Sequence, residues 1–168
     1  MIEMNEQTGA VSNQAIWQAL EDVKDPEIPV VSVVEMGIVR DVNVDGATVQ
    51  VTITPTFSGC PALHVMREQI AARVRALGVA SVIVETILYP PWSSDWITES
   101  ARRKLKEFGL APPSKHGGNV PITFYEPVAC PYCDSENTMV KNTFGPTLCR
   151  AIYYCDDCRQ PFEQFKAV

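Results

Sequence analysis

Two pairs of cysteines in the last third of the chain carry the strongest chemical signal in the sequence. Cys130 and Cys133 form one CxxC motif, Cys155 and Cys158 form a second, and 21 residues separate the two. Two residues between thiolates allow a tight turn to aim both sulfurs at one ion, and two such turns complete a tetrahedron. The spacing therefore predicts a zinc ribbon with four thiolate ligands. An iron ion or an iron–sulfur cluster suits the same sulfurs, and a dithiol redox role is a further alternative.

A fifth cysteine, Cys149, lies six residues before Cys155. On an extended strand an even separation places both side chains on one face, so we expect Cys149 near the metal as an accessory thiol. The simpler interpretation is a small buried apolar group, and a substitute ligand or a redox role is the alternative. A segment this short cannot bury enough apolar surface to fold alone, so metal binding should fold it.

The sixth cysteine, Cys60, stands apart from the others, between a predicted strand and a predicted helix. We expect it at the cap position of that helix, where free backbone N–H groups and the helix dipole lower a thiol pKa. It would then be a nucleophile or a metal ligand, and a buried apolar cysteine is the alternative. Asp25 and Glu27 lie in an earlier loop and could approach Cys60, although acidic residues beside prolines commonly form turns.

The elements that must position these side chains follow from periodicity and from turn residues. An α/β (α+β) fold is predicted, with a small mixed sheet covered by helices in the order α-β-β-α-β-α. Asp45-Gly46 is a strong signal for a two-residue hairpin. The helices are predicted at 12–23, 61–78 and 94–109, and the strands at 38–44, 48–54 and 81–88.

The chain divides into a folded domain, a linker and the four-cysteine segment. We place the first domain at 1–110, a proline- and glycine-rich linker at 111–126, and the ribbon at 127–168. A hydrophobic content of 46% and a charged content of 20% across 168 residues are typical of a globular protein.

Composition also indicates the cellular compartment and disfavours one class of binding partner. No stretch approaches the roughly 18 apolar residues of a membrane span, and the first residues lack the pattern of a signal peptide, so we expect a cytoplasmic protein without membrane contact. Cysteines are kept reduced there, which favours metal ligands over disulfides. The net charge of -6 disfavours nucleic acid as a partner, because phosphate binding depends on Lys and Arg.

The motifs of the first domain resemble a known family. The segments 25–29 (DPEIP), 36–39 (MGIV) and 54–62 (TPTFSGCPA) are similar to the signature of the metal-sulfur cluster biosynthesis domain, which includes SufT-like proteins. The resemblance covers about residues 12 to 110. It implies assistance in assembling iron–sulfur or iron centres, with the reactive cysteine at Cys60 and the acidic motif at Asp25 and Glu27. Met36 replaces the usual leucine, a change that conserves volume.

The remaining motifs resemble the PaaD branch of that family. They include 91–96 (PWSSDW), 109–113 (GLAPP), 130–133 (CPYC), 144–149 (FGPTLC) and 155–166. This resemblance implies a component encoded with the multisubunit phenylacetyl-CoA epoxidase of aerobic phenylacetate catabolism. That complex forms the ring-1,2-epoxide of phenylacetyl-CoA with a di-iron oxygenase subunit and an iron–sulfur flavin reductase subunit, which are the implied partners.

The resulting hypothesis is a non-enzymatic accessory protein that binds iron or a cluster transiently at Cys60 and zinc in its ribbon. One cysteine with nearby carboxylates does not readily complete a coordination shell, so the hypothesis includes a site shared between two chains of a homodimer. One alternative is a structural subunit of the epoxidase complex with no role in metal transfer. A thiol enzyme acting through Cys60 is disfavoured, because the first domain has no second cysteine at CxxC spacing.

Overall fold

The computed structural model describes residues 11–118 and 127–168, and it confirms the predicted fold class. The first six elements follow the predicted order α-β-β-α-β-α, and the later strands form a second sheet. No helix in the described ranges is long and apolar enough to cross a bilayer. The elements are α1 (Asn13–Leu20), β1 (Val39–Asp45), β2 (Thr48–Ile53), α2 (Leu63–Arg75), β3 (Ser81–Thr86), α3 (Glu99–Glu107), β4 (Leu110–Ala111), β5 (Thr138–Asn142), β6 (Arg150–Cys155) and β7 (Pro161–Phe165).

The first sheet is small and mixed, as the sequence predicts. β1 and β2 are antiparallel and meet at the predicted hairpin, where Asp45 pairs with Thr48. β2 then pairs with β3 in parallel, and α2 forms the crossover between them. Along β2 every second side chain is buried, because alternate residues of a strand face the same side of a sheet. The helices add their apolar faces to this core, which includes Ile16, Leu20, Val49, Val51, Ile53, Met66, Ile70 and Leu105.

Two helix boundaries differ from the prediction. α1 ends at Leu20 rather than near Val23, because the N–H groups of Asp22 and Val23 donate to the oxygens of Ala19 and Leu20, three residues earlier, instead of continuing the α-helical pattern. α3 begins after Thr98, whose hydroxyl accepts from the backbone N–H of Ala101 at 3.1 Å and so caps the helix. The predicted start of this helix is instead a short 3₁₀ turn, Ser94–Trp96.

The second sheet extends into the predicted linker. Its strand order is β4-β7-β6-β5, and β4 pairs in parallel with β7. Ala111 is therefore a buried strand residue, although the sequence assigns it to the linker. Beyond it, the main-chain oxygen of Pro113 accepts from Arg102, and the His116 N–H donates to Asp95 at 3.0 Å. The part of the predicted linker at 119–126 lies outside the described residues.

One residue of the ribbon completes the core of the first domain. Phe165, at the end of β7, is 2% exposed and packs among the buried residues of the first sheet and its helices. Its ring meets that of Trp92 edge to face, with the ring centroids 5.9 Å apart. The two structural units therefore share a hydrophobic core.

Gly37, within the MGIV motif, occupies a position that requires glycine. Its φ is +66°, and a Cβ there would lie 2.6 Å from the Cβ of Trp96. We expect Gly37→Ala to lower the free energy of unfolding by about 1–2 kcal/mol for the left-handed backbone and by about 1–3 kcal/mol more for the clash. Gly46→Ala is the matched control, because Gly46 has φ +58° with nothing within 4 Å of the added Cβ. Urea denaturation should separate the two variants, and equal losses would contradict the clash.

Candidate metal and thiol sites

The four cysteines of the CxxC motifs meet in one cluster. Their sulfur atoms all lie within 4.8 Å of one another. The Sγ atoms of Cys130 and Cys158 are 3.6 Å apart, as are those of Cys133 and Cys155. A disulfide would need about 2.05 Å, whereas a tetrahedron with zinc–sulfur bonds of about 2.3 Å has edges of about 3.8 Å. The donor set and its spacing therefore fit a tetrahedral thiolate metal such as zinc.

Each CxxC motif is built on the same backbone turn. The N–H of Asp134 donates to the main-chain oxygen of Cys130 at 2.9 Å, and the N–H of Arg159 donates to that of Cys155 at 3.0 Å. Asp134 and Arg159 both have a φ of +62°, which non-glycine residues seldom adopt. Each turn thus bends sharply after its second cysteine and brings two sulfurs to the same side.

Hydrogen bonds around the cluster favour the thiolate of Cys155 and tie the two turns together. The backbone N–H groups of Cys158 and Asp157 lower the pKa of Cys155 to about 7. The carboxylate of Asp157 accepts from the side chains of Asn137, at 2.8 Å, and Ser135. These two residues follow the first CxxC motif and Asp157 lies within the second, so the carboxylate links the two halves of the site.

Cys149 lies away from this cluster, and the prediction that it neighbours the metal is wrong. It comes directly before β6, whereas Cys155 ends that strand, and a strand of this length spans about 20 Å. The side chain is half-buried and packs against the core of the first domain. Its sulfur lies 3.1 Å from the hydroxyl oxygen of Thr147. An even separation in the sequence says nothing about the distance between two residues along a strand.

Cys60 also differs from its prediction. The N-cap of α2 is Ala62, so Cys60 lies in the turn before the helix. The pKa of its thiol is raised rather than lowered, because burial disfavours the thiolate and the negative charge of Asp25 acts in the same direction. Hydrogen bonds from the backbone N–H groups of Ala62 and Leu63 oppose this effect only in part. A protonated, half-buried thiol results.

Of the two predicted carboxylates, Asp25 lies near enough for its charge to raise the pKa of the Cys60 thiol. Asp25 is buried, and one carboxylate oxygen accepts from the backbone N–H groups of Glu27 and Ile28 at 2.8 and 3.0 Å. This is the turn that acidic residues beside prolines favour. Burial raises the pKa of Asp25 although these hydrogen bonds oppose it, and its charge acts on Cys60. The Glu27 side chain is exposed.

Arg150 is a residue of this region that the sequence did not single out. It follows Cys149 and is buried at the start of β6. Its guanidinium donates to the Glu163 carboxylate at 2.8 Å and to the main-chain oxygen of Glu27 at 2.7 Å. The same charge offsets only a small part of the rise in the pKa of Asp25 that burial causes. One feature of the sequence could have indicated this role, because Arg150 directly precedes the apolar and aromatic run 151–154. An arginine in such a buried strand usually has a partner for its charge.

The charge on Asp25 predicts a measurable change in the reactivity of Cys60. In Asp25→Asn the pKa of the Cys60 thiol should fall, because the change removes a negative charge that disfavours the thiolate. Cys60 should then react faster with iodoacetamide at a given pH, measured by mass spectrometry on metal-loaded protein. Glu27→Gln makes the same charge change in the same loop and should leave the rate nearly unchanged. A slower reaction in Asp25→Asn would contradict this arrangement.

Comparison with known proteins establishes the family. A sequence model of the PaaD zinc beta ribbon domain matches residues 121–166, and one of an iron-sulfur cluster assembly protein matches residues 13–85. The chain is 39% identical to a protein of Escherichia coli (strain K12) that is named as one subunit of a "Putative 1,2-phenylacetyl-CoA epoxidase", over 91% of this chain and 92% of that protein. The chain belongs to the PaaD family. The two matched domains of this PaaD family member agree with the resemblance found in its motifs.

Shorter relatives match about half of the chain. A protein of Porphyromonas gingivalis named "Fe-S protein maturation auxiliary factor" is 35% identical over 56% of this chain and 90% of its own length. A crystal structure of a DUF59 domain from Bacillus anthracis has a TM-score of 0.51 at 28% identity and covers 55% of this chain and 89% of that domain. A conserved hypothetical protein of Thermotoga maritima has a TM-score of 0.50 at 29% identity, with 56% and 94% covered. These structural relatives agree with the mixed α/β fold described above.

Proposed function

We propose that this protein is a cytoplasmic, non-catalytic accessory factor for phenylacetyl-CoA 1,2-epoxidase. It holds iron or an iron–sulfur cluster as cargo at Cys60 and assists the loading of an oxygenase or reductase subunit. Asp25 supports that site, and Glu27 belongs to the same loop. The observation that carries the proposal is a thiol outside the four-cysteine cluster, half-buried on a turn, whose pKa is raised by the charge of Asp25.

The names of the relatives support the client protein and the kind of activity that we propose. The long relative is named as a subunit of the epoxidase, which points to the other subunits of that complex as partners. Two shorter relatives, from Porphyromonas gingivalis and Bacillus subtilis, are named as Fe-S protein maturation auxiliary factors. A chain that combines both likenesses is best explained as a maturation factor dedicated to one complex.

The environment of Cys60 suits a carrier better than a nucleophile. A sulfur must lose its proton to bind a metal, so a raised thiol pKa makes protons compete with the metal and weakens the net affinity. Weak binding favours release to a client. The same raised pKa lowers the thiolate fraction that a covalent catalyst would need at neutral pH.

The ribbon has a structural part in this proposal. Cys130, Cys133, Cys155 and Cys158 would hold zinc, which supplies folding energy and no reaction step. The ribbon, whose last strand is anchored in the first domain by Phe165, would present a surface to the client protein. A homodimer remains part of the proposal for complexes in which two chains share one cargo.

Metal analysis tests the proposal. Protein purified without oxygen should contain about one zinc per chain together with iron or acid-labile sulfide. Cys60→Ser should keep the zinc and lose the iron and sulfide. Ser58→Ala is the matched control, because Ser58 is an exposed residue of the same turn. Zinc alone in both the native protein and Cys60→Ser would contradict the carrier role.

The second candidate function is that of a structural component of the epoxidase complex. The name of the long relative favours it, because that protein is named as part of the complex itself. This function predicts stoichiometric co-purification with the other components and tolerance of Cys60→Ser. A variant that co-purifies normally but leaves its client without iron would decide in favour of the maturation factor.

A further inference from the structure

Two side chains of the ribbon reach the first domain from the same rung of its sheet. Arg150 in β6 and Phe165 in β7 lie directly opposite each other in the antiparallel pair. The Phe165 ring is buried in the core of the first domain, and the Arg150 guanidinium donates to the main-chain oxygen of Glu27 at 2.7 Å. Directly paired residues have their side chains on one face of a sheet. The buried ring therefore fixes the place from which the guanidinium reaches across.

The hydrogen bond from Arg150 ends on the loop that carries the acidic motif. Glu27 accepts it through its main-chain oxygen, and the Glu27 N–H donates to the carboxylate of Asp25 at 2.8 Å. The same carboxylate oxygen accepts from the N–H of Ile28 at 3.0 Å, and the N–H of Asp25 donates to the main-chain oxygen of Val31 at 3.0 Å. Arg150 therefore binds a small closed loop whose position sets that of the Asp25 carboxylate.

The guanidinium is oriented from the ribbon side and is costly to bury. Arg150 is 9% exposed, and the Glu163 carboxylate accepts from it at 2.8 Å. Its Nε is buried and has no hydrogen-bond partner among the residues that the structure describes. A buried donor without a partner lowers stability, and an apolar side chain often replaces a buried charge without loss. The contact with Glu27 therefore explains an arginine here better than the stability of the ribbon does.

We propose that Arg150 is a positioning residue of the cargo site, which holds the loop of Asp25 and Glu27 in place from the ribbon. The ribbon supplies no ligand to the cargo in this scheme. Because metal binding folds the ribbon, occupancy of the four-cysteine cluster regulates the position of the loop. This inference rests on the proposed function, because that function makes Asp25 part of the site.

Hydrogen exchange in the loop tests the link itself. In zinc-loaded Arg150→Gln the amides of Glu27, Ile28 and Val31 should lose protection, while those of β1 and β2 keep it. Arg103→Gln is the matched control, because it makes the same charge change at an exposed residue. Native protection of the loop in Arg150→Gln would overturn the proposal.

The pH dependence of Cys60 alkylation tests the role in the site. The charge of Asp25 raises the pKa of the Cys60 thiol, so release of the loop should lower that pKa. The thiolate fraction rises about tenfold for each unit by which the pKa falls. Cys60 in Arg150→Gln should therefore react with iodoacetamide about twofold faster or more at neutral pH. Arg103→Gln should keep the native profile, and a native profile in Arg150→Gln would contradict the role.

Further variants separate positioning from charge and from loss of folding. In an Asp25→Asn background, Arg150→Gln should change the alkylation rate no further, because its effect acts through Asp25. An equal increase in both backgrounds would indicate general exposure of Cys60 and would overturn the proposal. Arg150→Lys keeps the charge but cannot bind Glu163 and Glu27 in the same geometry, so it should resemble Arg150→Gln. A native profile in Arg150→Lys would show that charge alone acts.

Glu163→Ala gives the same test without removing the buried arginine. The Glu163 side chain is 33% exposed, so its loss should leave the fold and the zinc intact while the guanidinium loses the group that orients it. Alkylation of Cys60 should become faster, by less than in Arg150→Gln. Native rates in both variants would overturn the positioning role.

Iron analysis separates this inference from the proposed function. Loss of iron in Cys60→Ser, together with native exchange and alkylation in Arg150→Gln, would overturn the positioning role and leave the carrier role intact. Faster alkylation in Arg150→Gln that depends on Asp25, with no iron in the native protein, would support the link and contradict the carrier role.

Discussion

Cys130→Ser should lose the ribbon's metal and unfold the second sheet. The Cys130 side chain is fully buried among the four sulfurs, and the buried cluster around it is small. Binding of zinc to sites of this kind contributes an apparent free energy of about 10–16 kcal/mol to folding. A cluster of this size cannot replace that contribution.

Hydrogen exchange resolved along the chain, with zinc analysis, measures this effect. Amide protection across β5, β6 and β7 should disappear in Cys130→Ser and in native protein treated with a strong chelator. Cys149→Ser is the matched control, because it removes a thiol from the same segment but outside the cluster. Its zinc content and its protection in β5 should match the native protein. A protected, metal-free ribbon would contradict the account.

Phe165→Ala should destabilise the first domain although the residue belongs to the ribbon. Replacing a fully buried phenylalanine by alanine costs about 3–5 kcal/mol, a large share of the roughly 5–15 kcal/mol that holds a domain together. The loss should fall on the first core, since the Phe165 ring packs there against Trp92.

Phe144→Ala provides the comparison for this variant. Phe144 lies in the same segment but is 67% exposed, so its removal should change the free energy of unfolding little. Thermal or urea unfolding, followed by tryptophan fluorescence and by far-UV circular dichroism, gives both values. Equal stability of the two variants would show that the ribbon does not complete the first core.

Most of the fold follows from local patterns that need no tertiary information. Alternation in β2 and the Asp45-Gly46 turn indicate the hairpin, and the side-chain oxygen of Ser12 caps α1 as predicted, 3.2 Å from the backbone N–H of Ala15. The CxxC spacing likewise predicts the four-sulfur cluster, because each motif positions its own pair of sulfurs through a local turn and one metal ion can bind both pairs. Signals of this kind are confined to a few neighbouring residues.

The parts that sequence reasoning missed depend on how the ribbon packs against the first domain. The even separation of Cys149 from Cys155 did not reveal the neighbours of Cys149, which depend on the placement of β6. The thiol of Cys60 was expected to favour the thiolate from its place near a helix, whereas burial and the negative charge of Asp25 decide the opposite. Neither effect leaves a local pattern, because both arise from residues far away in the chain.

The shared core suggests why the ribbon and the thiol site occur in one chain. Phe165 packs in the core of the first domain, and Arg150 binds the main-chain oxygen of Glu27 in the loop that carries Asp25. Loss of zinc should therefore also disturb the proposed cargo site. In this account the ribbon helps to hold the region around Cys60 in place, and no metal is exchanged between the two sites.

The iron content of the client tests the central claim most directly. The epoxidase subunits should be produced in cells with the native protein, with Cys60→Ser, with Ser58→Ala or with none of these, then purified and analysed for iron. The account predicts that Cys60→Ser leaves the client as poor in iron as omission of the protein, while Ser58→Ala loads it fully. Full iron loading with a folded, zinc-containing Cys60→Ser protein would contradict it.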